Sequence, residues 1–492
     1  METLSHRGAP MAFPVSNFLS VVNPPPSSRR QFLKLSGLAG AASLLPAVGA
    51  VAATKAPPTG GGQAQSIIFL VVDGLGNGTT GLAHHWKLHN EQAPLNWIQL
   101  LEREGLHRAY QDTASASSPV TDSSAAASAW GCGQRINNGA VNTDASGKSL
   151  KPILSYAKEA GKATGLVTTC RVTHATPAGF ATNVPQRGME DAIAQQYLER
   201  EVDVILGGGK RHFAQKQSDG SVVDYIPRFQ EKGYEVVSNT AELAAAGAAQ
   251  SDRPLLGLFS PSHIPYMIDR KHDRTHADVP GLAEMFRAAL ARLDQAPDGF
   301  VLQVEGGRID HAGHGNDPGT ILHEFLEFDD CIPIALDYID AHPDTLLIIT
   351  TDHGTGGCQL NGAGEGYADS GPALERINQQ KYSFEWLQAS FMRTKEFSPL
   401  PVKLALGIDA TAQQGAIVQA AIDVEVEFLS GALNEAFGQQ LQKLTAVGWS
   451  SRNHTAECVE FFACGPGAAA VPGFIKNNEV FEIMTHALGI RV

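Results

Sequence analysis

Six cysteines in 492 residues, scattered along the chain, are too few and too widely spaced for a dense disulfide framework, and none sits at the paired spacing of a structural zinc site. Cys458 and Cys464 are nearest in sequence, but an extended Val459–Ala463 run between them would hold them ~20 Å apart, so they do not bond to each other. Bridges among Cys132, Cys170, Cys331 and Cys358 stay open. Basic charge is also scarce: 37 Lys and Arg stand against 51 Asp and Glu. That balance excludes the clustered positive excess of a nucleic-acid binder, and any anionic ligand must be attracted locally. Past the N-terminus, no stretch reaches the roughly 18 consecutive apolar residues of a membrane span, so the mature chain is expected to have none. No internal repeat is visible. What remains is a chain with 43% hydrophobic residues, long enough to bury a large core.

The N-terminal segment reads as an address rather than as structure. Ser28-Arg29-Arg30-Gln31-Phe32-Leu33-Lys34 precedes a mildly apolar Ala/Gly-rich run from Leu35 to Ala53 with a small-residue Ala50-Val51-Ala52 site, which resembles a twin-arginine export signal. The expected organisation is an export signal over 1–53, a linker over 54–65 carrying Pro57-Pro58-Thr59-Gly60-Gly61-Gly62, and one catalytic domain over 66–492. Export machinery of the twin-arginine type is the implied partner, with a periplasmic or secreted destination.

Short β-branched apolar runs alternate with helical patterns through the rest of the chain. The candidate strands are Ile67 to Val72, Gly165 to Thr168, Val202 to Leu206, Gly299 to Val304, Thr345 to Thr350 and Val459 to Ala463. Between them, Leu282 to Leu293 (LAEMFRAALARL) places apolar residues at three- and four-residue spacing, as a helix packed on a sheet requires. The pattern predicts an α/β fold with a mostly parallel sheet. The Ala-, Gln- and Gly-rich stretch at about 361–448 has weak strand signals and reads as a helical insertion. Asp73, Glu305, Asp310, Asp352 and His353 lie at or just beyond strand ends, and in open α/β sheets ligands gather outside those ends. Residues far apart in sequence are thereby expected to meet.

Four further segments carry chemistry-bearing side chains. In Val120-Thr121-Asp122-Ser123-Ser124-Ala125-Ala126-Ala127, a Ser opens an Ala-rich, helix-forming run. A serine at a helix N-terminus has the positive dipole end and free N–H groups to favour an alkoxide and an anion, although Asp122 or Ser123 in that position could equally serve only as an N-cap. Val304-Glu305-Gly306-Gly307-Arg308-Ile309-Asp310-His311-Ala312-Gly313-His314 sets Asp310 and His314 four apart; Asp and His suit zinc, and carboxylates suit magnesium. Thr350-Thr351-Asp352-His353-Gly354 and Asn453-His454-Thr455 add an Asp-His pair and a lone His.

Taken in order with Ile67-Ile68-Phe69-Leu70-Val71-Val72-Asp73-Gly74-Leu75-Gly76, these segments resemble the alkaline phosphatase family over nearly all of residues 66–360 and again at about 448–470. The resemblance implies a central, mostly parallel sheet with helices on both faces, and hydrolysis of phosphate monoesters through a phosphoserine at Ser123. It implies a first zinc on Asp310, His314 and His454 and a second on Asp73, Asp352 and His353. A magnesium would be shared by Asp73 with Thr176 and Glu305, near His174 in Arg171-Val172-Thr173-His174-Ala175-Thr176-Pro177. Arg187, in Asn183-Val184-Pro185-Gln186-Arg187, matches a phosphate-clamping arginine, and His311 is expected at the substrate. A homodimer is implied too. His174 and His311 stand where some members carry other residues, and imidazole is a poor magnesium ligand, so the third ion is expected to be magnesium, zinc or cobalt. Either histidine could ligate directly or orient a ligand from outside.

A phosphodiesterase or phosphonate hydrolase of the same superfamily is the nearest competitor. Asp-Ser-Ser-Ala at Ser123 is not a sulfatase context, and Thr176, Glu305 and Arg187 address oxygens that a diester would have substituted. A non-catalytic exported phosphate- or metal-binding protein would need a broken nucleophile or a missing ligand, and neither is visible.

Overall fold

The computed structural model describes residues 63–216 and 220–492; the expected export signal and most of the linker lie outside them. Ten strands build one sheet: β1 (Ser66–Val72), β2 (His107–Asp112), β3 (Ala163–Arg171), β4 (Val204–Gly208), β5 (Glu235–Val237), β6 (Leu255–Leu258), β7 (Phe300–Gly306), β8 (Thr345–Thr351), β9 (Val459–Cys464) and β10 (Phe474–Lys476). Their order is β10-β2-β9-β8-β1-β7-β3-β4-β6-β5. β9 runs antiparallel to both its neighbours, β8 and β2, and every other neighbouring pair is parallel.

β1 is central and buried along its whole length. Ile68, Leu70 and Val72 pack into one apolar cluster, and Ile67, Phe69 and Val71 into another. Both faces are therefore covered, which is why the strand reads as an unbroken apolar run rather than an alternation. On one face lie α1 (Ser123–Cys132) and α2 (Ala175–Ala181); on the other lie α3 (Leu282–Leu293) and residues that follow α4 (Arg308–Gly315). The helix expected at Leu282 to Leu293 forms with those bounds and buries Leu282, Met285, Phe286, Ala289 and Leu293.

All six expected strands form, shifted by up to three residues at either end. Two shifts matter for the site. Glu305 lies inside β7 instead of ending it, and Gly299 stands outside that strand at φ +78°. Four strands were not legible. β5, β6 and β10 have three, four and three residues, and β2 (HRAYQD) is largely polar.

Between Leu360 and Val447 the chain forms five helices, α5 (Ser370–Ile377), α6 (Phe384–Thr394), α7 (Pro399–Leu406), α8 (Ala412–Asp423) and α9 (Ser430–Thr445). Phe384, Leu387, Val402, Leu433 and Phe437 belong to an apolar cluster separate from those on the sheet. Gln359–Leu360 pairs with Val447–Gly448, so the segment leaves and re-enters the core at one narrow neck. All six cysteines are unpaired.

Candidate active site

The site is assembled at the carboxyl ends of the central strands. β1 delivers Asp73, β7 delivers Glu305, and β8 delivers Asp352 and His353; all four side chains are buried. Neighbouring parallel strands in matched register make this possible: Val72 is opposite Thr351 on one side and Gly306 on the other. Gly74, at φ +80°, turns the chain away from β1, and a Cβ there would lie 2.6 Å from the Asp310 Cα. A side chain at this position would collide with the backbone of α4, which carries Asp310.

Ser123 is the first residue of α1, and Asp122 is its N-cap. Asp122 Oδ1 accepts from the Ala125 N–H at 2.9 Å. The capping role thus falls to Asp122, and the Ser123 hydroxyl is turned inward, 3.4 Å from Asp73 Oδ1 and 3.3 Å from His353 Nε2. Asp122 Oδ2 also accepts from Arg187 Nη1 at 3.1 Å, while Arg187 Nη2 lies 3.0 Å from His174 Nε2. Burial would raise the Asp122 carboxyl, but Arg187, the Ala125 N–H and the Ser124 hydroxyl hold it below the usual carboxylate range. One residue therefore caps the helix and ties down the guanidinium beside the serine.

The expected ligands gather in three groups. Asp73, Asp352 and His353 present liganding atoms within 4.8 Å of one another; so do Asp310, His353 and His454, and so do Asp73, His174 and Glu305. His314 joins the second group, its Nε2 lying 3.4 Å from Asp310 Oδ1 and 3.0 Å from His454 Nε2. Asp310 and His314 meet because four residues is one helical turn of α4. His454 arrives on a two-residue strand, His454–Thr455, paired with Gly354–Thr355 just beyond β8. Thr176, on α2, has a buried Oγ1 without a hydrogen-bond partner, as do Glu305 Oε1, Asp73 Oδ2 and His174 Nδ1.

The electrostatics are those of a cation site. Asp73 is pushed well above the ordinary carboxylate range by burial and by the charges of Asp352, Asp310 and Glu305. Burial pushes Glu305 up to about 7. Burial would lower His454, but the hydrogen bond and charge of Asp310 push it up to about 9, so a proton there partly offsets the clustered carboxylates. Four buried carboxylates, with oxygens left unpartnered and imidazoles between them, form a donor set that fits divalent ions. His311 has no hydrogen bond to Ser123 or Arg187; its ring packs against His174 and His263, with centroids 5.5 and 4.5 Å away. His263 and Asp122's tether to Arg187 were not anticipated. His263 lies in a loop with no motif, and in the sequence Asp122 carries only the signal of an N-cap.

The sequence pattern described as alkaline phosphatase matches residues 64–490. The chain belongs to the alkaline phosphatase family. It is 32% identical over 437 residues to alkaline phosphatase 3 of Bacillus subtilis (strain 168), covering 87% of this chain and 89% of that protein. The streptomycin-6-phosphate phosphatase of Streptomyces griseus is 34% identical, over 64% of this chain and 79% of that protein. Among solved structures, the Thermus thermophilus alkaline phosphatase superposes with a TM-score of 0.81 at 36% identity, covering 92% of this chain and 96% of that one. As a family member this alkaline phosphatase is a metal-dependent enzyme acting on phosphate esters. Residues 26–46 match the twin-arginine translocation pathway signal, which implies export across the membrane. Among the described residues no helix is long and apolar enough to cross a membrane.

Proposed function

We propose that this alkaline phosphatase hydrolyses phosphate monoesters in two displacements at phosphorus, with Ser123 as the nucleophile. The observation that carries the reading is the buried Ser123 hydroxyl at the start of α1, released from capping by Asp122 and facing Asp73 and His353. Asp310, His314 and His454 would hold one zinc and Asp73, Asp352 and His353 another. Asp73, Thr176 and Glu305, with His174, would hold a third ion, magnesium or, given the imidazole, zinc or cobalt. Bound ions would supply Lewis-acid stabilisation of charge on the attacking and leaving oxygens and would lower the pKa of the serine hydroxyl.

The chain's own groups do the rest. Arg187, held by Asp122 and standing beside His174, grips two non-bridging phosphoryl oxygens with its planar fork. The N-terminus of α1 favours the anion by its dipole. In the first displacement Ser123 Oγ loses its proton and bonds to phosphorus as the ester P–O bond breaks, and the alcohol leaves with a proton. In the second, water bonds to phosphorus, the P–Oγ bond breaks, and inorganic phosphate departs as the hydroxyl is restored. A periplasmic or secreted location and a homodimer complete the proposal.

The test is turnover of an aryl phosphate by the purified enzyme, before and after chelation and on return of zinc or magnesium, beside Ser123→Ala. Chelation is expected to abolish turnover and zinc to restore it. Ser123→Ala should cost at least about 10³-fold in kcat. Full activity in that variant would remove Ser123 from the mechanism.

A further inference from the structure

Cys170, His263 and His311 belong to none of the three ion positions, yet one liganding atom from each lies within 4.8 Å of the others. Three separate elements bring them together. Cys170 is the penultimate residue of β3, His263 lies on the loop that follows β6, and His311 is on α4 next to Asp310. The loop is stitched to β3 by the Ile264 N–H donating to the Thr169 carbonyl at 3.0 Å. A Cβ at Gly307 would stand 2.7 Å from Cys170 Sγ, so a bare backbone at that position gives the thiol its room.

The trio is not satisfied by the protein alone. His311 Nδ1 is buried without a hydrogen-bond partner, and Cys170 Sγ makes no hydrogen bond among the described residues. Both ring nitrogens of His263 face N–H donors of Arg171, the backbone N–H at Nδ1 and the guanidinium at Nε2. A neutral imidazole carries one lone pair and can accept from only one of them. Core residues serving packing alone would be expected to find partners for such groups.

We propose that Cys170, His263 and His311 form a fourth cation site, for an ion of the zinc class. One sulfur and two imidazole nitrogens suit zinc or cobalt and disfavour magnesium. In a tetrahedral zinc site the ligand atoms stand roughly 3.5 Å apart, so atoms already within 4.8 Å of one another need to close by no more than about 1.3 Å, a movement within side-chain rotation. The thiol gives up its proton to solvent as the ion binds. Arg171 can withdraw from His263 without losing its partner, because its Nε and Nη2 already donate to Glu190 at 2.7 and 2.6 Å. His311 packs against His174, so the fourth site adjoins the third through one pair of imidazole rings.

Sulfur makes this site spectroscopically separable, because the other three positions offer only oxygen and nitrogen. The exported protein, stripped by chelator and reloaded with Co²⁺, is expected to show a near-ultraviolet sulfur-to-cobalt charge-transfer band. Cys170→Ser should lose that band and one cobalt per chain while retaining phosphatase turnover, and His263→Gln should weaken cobalt binding at this band by tenfold or more. Absence of the band in reloaded protein that is folded by circular dichroism would overturn the proposal. So would a band that survives in Cys170→Ser, since it would come from another cysteine. The readout does not depend on Ser123: loss of the phosphoserine mechanism would leave the band untouched, and loss of the band would leave that mechanism standing.

Discussion

Asp122 does four things with one carboxylate: it caps α1, accepts from the Ser124 hydroxyl and the Gly139 N–H, and tethers Arg187. Asp122→Ala should therefore lower stability by about 1 kcal/mol through the lost cap. It should also raise KM for aryl phosphate, because Arg187 is no longer held; an unchanged KM would leave Asp122 as a cap and nothing more. Arg187→Lys keeps the charge but loses the fork, and kcat/KM should fall roughly 10- to 100-fold, the value of a charge-assisted hydrogen bond. A variant within twofold of the parent enzyme would show that a point charge suffices. At this scale the sequence was informative about ligand types and silent about roles. Ser123 alone reads as a cap, and only the company of the other segments points to it as a nucleophile. Cys170 was one of four candidates for a disulfide, because no spacing rule connects it to a histidine 93 residues later.

The junction of β1 with α4 is where an element, rather than a side chain, sets the chemistry. Gly74→Ala places a methyl against the Asp310 backbone at a positive φ, so it should destabilise the enzyme by about 2 kcal/mol or more. Because that collision moves Asp310, the proposed ligand of one ion, against the neighbour of Asp73, the proposed ligand of another, zinc content per chain should fall as well. Denaturant unfolding together with metal analysis checks both. The strands that carry the site were legible because they are buried on both faces and so read as apolar runs. β2 was not, since its residues alternate between buried and exposed and it is bordered by β9 and the short β10. Short strands such as β5 take their conformation from a neighbour's free edge, and nothing in three residues announces that.

Across the whole molecule, the protonation of His454 links stability to pH. Without a bound ion, the hydrogen bond and charge of Asp310 push His454 up to about 9 from its ordinary 6.5. Its folded-state pKa is raised, so its charge stabilises the fold fully below about pH 6.5, and that contribution is lost as pH climbs through about 9. The unfolding temperature of the chelated protein should accordingly decline across this window. With zinc restored the decline should vanish, because a ligating imidazole is neutral throughout. Equal slopes in the two scans would show that His454 is not a ligand. The helical character of the segment between Leu360 and Val447 was legible from its composition and weak strand signals, whereas its closed neck depends on a pairing of two-residue strands that no local pattern reveals.

β9 bears on how the chain is made. β2 and β10 join the sheet only through β9, a strand that begins at Val459. Residues 107–112 therefore wait, during synthesis, for a neighbour encoded some 350 positions later, and His454 reaches the site on the same late segment. Such long-range pairing is the slow kind, dominated by closure of large loops. A growing polypeptide would carry all four proposed acidic ligands and its serine while still unable to hold them in place. The enzyme is thus expected to stay inert until its last few dozen residues emerge, and C-terminal truncation before residue 454 should abolish activity far more completely than its distance from Ser123 would suggest.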